Sequence, residues 1–157
     1  MNILVLCTGN SARSILLEAI LGQDSAGRIA AFSAGSQPAG RVHPQALALL
    51  KDRGYATTGM TSKSWDVFGA PDAPRMDAVI TVCGSAAEEV CPIWPGTPLR
   101  AHWGVEDPAA APEAEQRRAF AEAFAILKRR ADALLARRIE DMDQDALGTA
   151  LAEAGRA

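Results

Sequence analysis

The first fourteen residues constrain the fold more than any other part of this 157-residue chain. A short apolar run, Asn2–Leu6, leads directly into a polar, glycine-containing segment at 7–14. Residues 14–22 are then rich in helix-forming side chains and end at a glycine, which is typical of a helix. The apolar run is short and continuous, so it predicts a buried parallel strand that delivers a tight loop to the start of a helix.

Strand-like and helix-like segments alternate along the rest of the chain. Further strands are predicted at 30–33, 77–83 and 98–102, further helices at 43–52 and 112–138, and surface loops at 37–40 and 68–74. This alternation predicts an α/β fold, a four-stranded parallel sheet with helices on both faces. We expect a single domain over residues 1–138, and a C-terminal extension over 139–157 that is either helical or frayed.

Composition narrows the classes of function. The chain is 48% hydrophobic and carries a formal net charge of -3, so no basic surface is predicted for nucleic acid and no apolar segment is long enough for a membrane span. Three cysteines are an odd count that does not suit a disulfide framework, which favours reduced thiols and a cytoplasmic location. The two histidines, His43 and His102, lack the spacing of metal ligands, so we expect no metal site.

The first loop carries the most distinctive chemistry, because Cys7 and Arg13 stand six positions apart at a helix N-terminus. Backbone N–H groups in such a loop can form an anion nest, and an arginine can bind two oxygens of one anion. The same positive potential favours thiolate over thiol, so the sequence predicts a lowered pKa for Cys7. Gly9 and Asn10 are suited to positive φ. We expect the loop to bind a tetrahedral oxyanion through Thr8, Gly9, Asn10, Ser11, Ala12, Arg13 and Ser14.

Three predicted strands end near reactive side chains. Cys7 follows the first strand, Cys83 ends the third, and Asp107 lies in the polar segment after the fourth. The carboxyl ends of parallel strands meet at one edge of a sheet, so we expect these side chains to share a pocket. An oxyanion that loses an oxygen needs a proton donor, and Asp107, stiffened by Pro108, is the candidate general acid, with Glu106 as the alternative.

Several motifs together resemble those of the low-molecular-weight protein tyrosine phosphatase superfamily. They are the 7–14 loop, Phe32-Ser-Ala-Gly35 and Asp107-Pro108. Within that superfamily, Val82-Cys-Gly, Cys91-Pro92 and His102-Trp-Gly resemble the arsenate reductases that are coupled to thioredoxin. The resemblance extends from residue 1 to about 135. It implies a low-molecular-weight-phosphatase-like fold and the reduction of arsenate to arsenite.

The resemblance also implies a mechanism with three cysteines. Cys7 attacks arsenate while Asp107 protonates the departing oxygen, and Cys83 then attacks the sulfur of Cys7 and releases arsenite. Cys91 next attacks Cys83, leaving a Cys83–Cys91 disulfide for an external thiol reductant, either thioredoxin or glutaredoxin with glutathione. No cofactor is bound in this scheme, and phosphate or sulfate would compete with arsenate. Phosphate ester hydrolysis needs one thiolate, whereas reducing pentavalent arsenic takes the two electrons that a thiol pair supplies.

The chain departs from related sequences in two places near these motifs. Seven residues separate Cys83 from Cys91, where better-known arsenate reductases have six. This segment is helix-prone, and a helix would hold the two cysteines too far apart for a disulfide unless it unwinds. Ala109-Ala-Ala111 stands where tyrosine phosphatases carry aromatic residues. A phosphotyrosine ring would have little to stack on there. A phosphotyrosine or small-molecule phosphatase is the alternative function, followed by a thiol sensor without turnover.

A cation site is suggested by the same resemblance. Some relatives bind potassium through residues that match Asn10, Glu18 and Ser33, together with a carboxylate after a Thr-Ser pair. In this chain Lys63 follows that pair. We expect its ammonium to substitute for the cation, with a solvated surface lysine as the alternative.

Overall fold

The structure, a computed structural model, describes residues 1–83 and 98–157. Its strands are β1 (Asn2–Leu6), β2 (Ala30–Ala34), β3 (Ala78–Thr81) and β4 (Leu99–His102). Its α-helices over these ranges are α1 (Arg13–Asp24), α2 (Pro44–Asp52), α3 (Glu113–Leu135) and α4 (Gln144–Ala154). All strand pairs are parallel, in the order β2-β1-β3-β4. The predicted four-stranded parallel α/β fold is confirmed.

The interior position of β1 in the sheet explains why the first apolar run is uninterrupted. Leu4 pairs with Phe32 on one side and Val79 on the other, and Ile3 through Leu6 are completely buried. A central parallel strand is covered on both faces, so no position in it can face water. Full burial of each aliphatic side chain contributes about 1.5–3 kcal/mol relative to exposure. The loop after β1 is therefore attached to one of the most firmly packed parts of the molecule.

The helices of the structure begin and end close to the residues predicted from local sequence signals. Helix α2 begins at Pro44, and the Nδ1 atom of its cap, His43, accepts a hydrogen bond from the Gln45 N–H at 3.1 Å. The predicted surface loop at 68–74 is wrong at its first residue. Phe68 is buried in a 3₁₀ helix, Trp65–Gly69, where its ring packs edge-on against Phe32 at 5.5 Å between centroids.

The C-terminal extension is helical rather than frayed. Helix α4 is capped by Asp143, whose carboxylate accepts a hydrogen bond from the Ala146 N–H at 2.8 Å. Leu147 and Leu151 are buried within the same apolar core as the sheet. Over residues 1–83 and 98–157, the helices lack the length and apolar character needed to span a membrane. The domain boundary at residue 138 stays a prediction.

Candidate active site

In the loop between β1 and α1, several carbonyl oxygens are hydrogen-bonded to a neighbouring segment on one side. Three of them accept hydrogen bonds from backbone N–H groups of segment 37–43. These bonds join Gln37 to Thr8 at 3.0 Å, Ala39 to Gly9 at 2.9 Å and His43 to Ser11 at 2.9 Å. The carbonyl and N–H of one peptide point in opposite directions, so the N–H groups of Gly9, Asn10 and Ala12 are turned the other way. This is the arrangement of an anion nest.

Two residues allow the loop to turn this tightly. Asn10 has a φ of 45°, a left-handed conformation that asparagine tolerates better than most residues. Gly35 lies against the loop, and a Cβ there would be 2.4 Å from the Thr8 oxygen and 2.7 Å from the Cys7 oxygen. The expectation of positive φ is therefore right for Asn10 and wrong for Gly9. The close approach of Gly35 is a tertiary contact that no local sequence signal identifies.

Cys7 and Cys83 meet at the ends of neighbouring strands. Both are buried, they share a hydrogen bond, and the Thr8 N–H donates to Cys83 Sγ at 3.2 Å. That shared hydrogen bond and, next, burial raise the pKa of Cys7, although the charge of Arg13 and the Gly9 N–H act to lower it. The predicted lowering of the Cys7 pKa is thus wrong for this arrangement. The loop alone favours the thiolate, but a second sulfur stabilises the protonated form.

Arg13 connects the first turn of α1 to the segment that follows β4. Its Nη1 donates to the Val105 carbonyl at 2.9 Å, and its Nη2 lies 3.8 Å from Asp107 Oδ2. Its Nε is buried and has no partner within the part of the chain that the structure describes. A buried donor in this state fits an oxyanion as its ligand. Arg13 and Asp107 come together as the converging strand ends predicted, whereas Val105 was missed because its contribution is a backbone oxygen.

A buried polar network supports the loop. Asn10 Nδ2 donates to Ser14 Oγ at 2.8 Å and to Ser33 Oγ at 2.9 Å. Ser33 Oγ donates to Glu18 Oε2 at 3.0 Å, and the backbone N–H of Lys63 donates to Asn10 Oδ1 at 2.9 Å. The four residues singled out as a modified cation site, Asn10, Glu18, Ser33 and Lys63, therefore form one connected set.

The charges of this set act on each other through space. The Lys63 ammonium donates to the Thr61 carbonyl at 2.8 Å. Burial raises the pKa of Glu18 and Lys63 opposes that rise, while burial lowers the pKa of Lys63 and Glu18 opposes that fall. This mutual compensation fits a lysine that serves as a resident cation, and the role stays a prediction.

The third cysteine cannot be placed in this site. Cys91 and the helix-prone segment 84–90 lie outside the described residues. Of the two histidines, His43 caps α2, and His102 lies at the end of β4, where its Nδ1 shares a hydrogen bond with Thr81 Oγ1 at 2.7 Å.

A cysteine in an anion nest, with an arginine and a carboxylate at the same edge of a parallel sheet, defines a phosphatase-like class of protein. Residues 2–146 match the low molecular weight phosphotyrosine protein phosphatases, and this chain belongs to that family. The resemblance to arsenate reductases within this superfamily is also confirmed. The chain is 36% identical to an arsenate reductase of Bacillus subtilis (strain 168) over 111 residues, which cover 71% of this chain and 76% of the relative.

Solved structures agree with this assignment. An arsenate reductase in a phosphate-binding state superposes with a TM-score of 0.69 at 30% identity, covering 86% of this chain and 96% of the other. A thioredoxin-dependent arsenate reductase of Corynebacterium glutamicum superposes with a TM-score of 0.57 at 28% identity, covering 81% of this chain and 58% of the other.

Proposed function

We propose that this chain is an arsenate reductase that uses Cys7, Cys83 and Cys91 in turn. The observation that carries the proposal is that the buried sulfurs of Cys7 and Cys83 meet beside the anion nest, where Cys83 Sγ also accepts a hydrogen bond from the Thr8 N–H of the nest loop at 3.2 Å. A phosphatase would gain nothing from a second sulfur that holds a proton on its nucleophile. A reductase needs that sulfur close by, because the two thiols together supply two electrons.

In the first step of this proposal, arsenate binds the nest and Arg13. The raised pKa of Cys7 means that the thiol brings a proton into the site, and a dianionic arsenate oxygen can accept it. The thiolate then attacks arsenic. An arsenic–sulfur bond forms and an arsenic–oxygen bond breaks, while Asp107 supplies the proton with which that oxygen leaves as water.

In the second step, Cys83 attacks the sulfur of Cys7. A sulfur–sulfur bond forms, the arsenic–sulfur bond breaks, and its electron pair stays on arsenic, which leaves as arsenite. The Thr8 N–H that donates to Cys83 favours a negative charge on the attacking sulfur.

Cys91 completes the cycle in this scheme by attacking Cys83 and freeing Cys7. The resulting Cys83–Cys91 disulfide passes to an external thiol reductant, thioredoxin or glutaredoxin with glutathione. A thioredoxin-dependent relative supports the first of these. A cycle that depends on reduced thiols supports a cytoplasmic location for the proposed enzyme.

The test is arsenate-dependent NADPH oxidation, with thioredoxin and glutaredoxin systems supplied in turn. Cys83→Ser and Cys91→Ser should each abolish multiple turnover while retaining any weak hydrolysis of p-nitrophenyl phosphate, and Cys7→Ser should lose both activities. Cys91→Ser should stop after one turnover with a Cys7–Cys83 disulfide, detected by mass spectrometry as a loss of two hydrogens. Native turnover in Cys83→Ser would overturn the three-cysteine scheme in favour of a phosphatase.

A further inference from the structure

Residues 103–108, called here the acid loop, follow β4 and contain Asp107. Groups that are not part of the anion nest hold this loop in place. Trp103 is 1% exposed, and its indole N–H donates to the Leu151 carbonyl of α4 at 2.9 Å. The end of α4 fits tightly against this ring, because a Cβ on Gly155 would lie 2.6 Å from Trp103 Cδ1. The last helix of the chain therefore fixes the first residue of the acid loop.

Two arginines hold the next two residues of the acid loop. The Gly104 carbonyl accepts a hydrogen bond from Arg130 Nη1 of α3 at 3.1 Å, and the Val105 carbonyl accepts one from Arg13 Nη1 of α1 at 2.9 Å. Gly104 itself is confined, since a Cβ there would lie 2.8 Å from His102 Nε2. Consecutive peptide groups are thus bound by guanidinium groups from two helices, and neither can rotate without losing a charge-assisted hydrogen bond.

The side chain of Asp107 accepts a hydrogen bond, from the Ala109 N–H to Oδ1 at 3.0 Å, and makes a weaker contact with Arg13. It is 42% exposed, and its distance of 3.8 Å from Arg13 Nη2 is long for an ion pair. A partly exposed pair of this kind contributes little to holding a carboxylate in one place. The position of the carboxylate is therefore determined by the backbone of the acid loop together with the Ala109 N–H that follows it.

We propose that Arg130 is a positioning residue for Asp107, acting through the Gly104 carbonyl, with Trp103 and α4 holding the same loop from behind. This inference rests on the proposed role of Asp107 as general acid. Without Arg130 the 104–105 peptide is held only through its N–H, which donates to the Val82 carbonyl at 3.0 Å, so its carbonyl side gains freedom and the carboxylate spends less time where it can protonate the departing oxygen. Binding of the oxyanion by the nest is unaffected.

The first experiment replaces Arg130 by methionine, which keeps much of the aliphatic stem and removes the donors. The single-turnover rate of Cys7–Cys83 disulfide formation with arsenate should fall roughly 10- to 100-fold, the range expected for misplacing a reacting group by up to about 1 Å. Protection of Cys7 from iodoacetamide by phosphate should stay unchanged. Arg129→Met, an exposed neighbour on the same helix, is the matched control and should keep the native rate.

A double variant separates positioning from a general loss of structure. In an Asp107→Asn protein, Arg130→Met should cause no further fall in rate, because the acidic group that Arg130 positions is already absent. Loss of a general acid costs about 10²–10⁴-fold, so these rates are followed over hours. A further fall in the double variant equal to that in the single variant would overturn the inference.

Two further outcomes keep the inference distinct from the proposed function. A native rate in Asp107→Asn would remove Asp107 as the acid and overturn this inference, whereas the three-cysteine scheme is judged separately by Cys83→Ser. If Arg130→Met does not fold, Trp103→Phe removes the indole donor, together with part of the buried ring, on the other side of the acid loop. It should show the same fall in rate with phosphate protection intact, and a native rate would overturn the proposal.

Discussion

Replacing Gly35 by alanine tests how closely the loop depends on its neighbours. The new Cβ would lie 2.4 Å from the Thr8 oxygen, whereas comfortable carbon–oxygen contacts begin at about 3.3 Å. Gly35 cannot easily retreat, because its N–H donates to the Lys63 carbonyl at 2.9 Å and its carbonyl accepts from the Trp65 N–H at 3.0 Å. The Thr8 carbonyl must therefore move by roughly 0.9 Å if it is to restore the contact distance of about 3.3 Å.

That displacement has a predictable cost. Misplacing a reacting group by about 1 Å lowers rates about 100-fold, so arsenate reduction by Gly35→Ala should fall by that order. Overpacking of this kind destabilises a protein by about 1–3 kcal/mol, which corresponds to a fall in Tm of several degrees for a chain of this size. Phosphate should also protect Cys7 from alkylation less well, since the nest amides move with the Thr8 carbonyl.

The assay compares turnover, phosphate protection and thermal melting with those of Gly22→Ala. A Cβ at Gly22 would make an ordinary contact of 3.5 Å with the Ala31 Cβ. Alanine in a helix is favoured over glycine by about 1 kcal/mol, so this control should melt higher and keep native activity. Native activity and native Tm in Gly35→Ala would refute the reasoning.

Two predictions concern charges around the loop. Cys83→Ala removes the hydrogen bond that contributes most to the raised pKa of Cys7, so the pH midpoint for alkylation of Cys7 by iodoacetamide should move down; an unchanged or higher midpoint would contradict this cause. The native protein should melt alike in matched sodium and potassium chloride because Lys63 already opposes the charge of Glu18, whereas Lys63→Asp should recover stability selectively in potassium. A native Tm that rises specifically with potassium would refute this role and favour the alternative, in which Lys63 is a solvated surface lysine.

Local patterns were sufficient for the elements that deliver the site. The continuous apolar run before Cys7 predicted a buried strand, and β1 is one of the two interior strands of the sheet. His43 followed by Pro44 predicted a helix start, and α2 begins there with His43 as its cap. These signals succeed because a cap or a buried strand depends on residues adjacent in the chain.

Other features depend on strand order, which local patterns do not contain. The raised pKa of Cys7 arises because β3 pairs directly with β1 and so brings Cys83 to Cys7. The close approach of Gly35 follows from β2 pairing on the opposite side of β1. Each is a contact between residues far apart in sequence. The convergence of strand ends predicted that Cys7 and Cys83 share a pocket, but it did not predict the effect of Cys83 on the pKa of Cys7.

The hydrogen bonds accepted by the carbonyls of the 7–14 loop have a consequence for selectivity between anions. A nest that is already formed recognises an anion by its tetrahedral shape and its charge, and arsenate and phosphate are close analogues in both. For the proposed reductase, the preference for arsenate must then arise after binding, when an electron pair is taken up by an element that is easily reduced. Turnover would follow the ratio of the two anions in solution, and phosphate would act as a competitor that the enzyme admits, holds and releases unchanged.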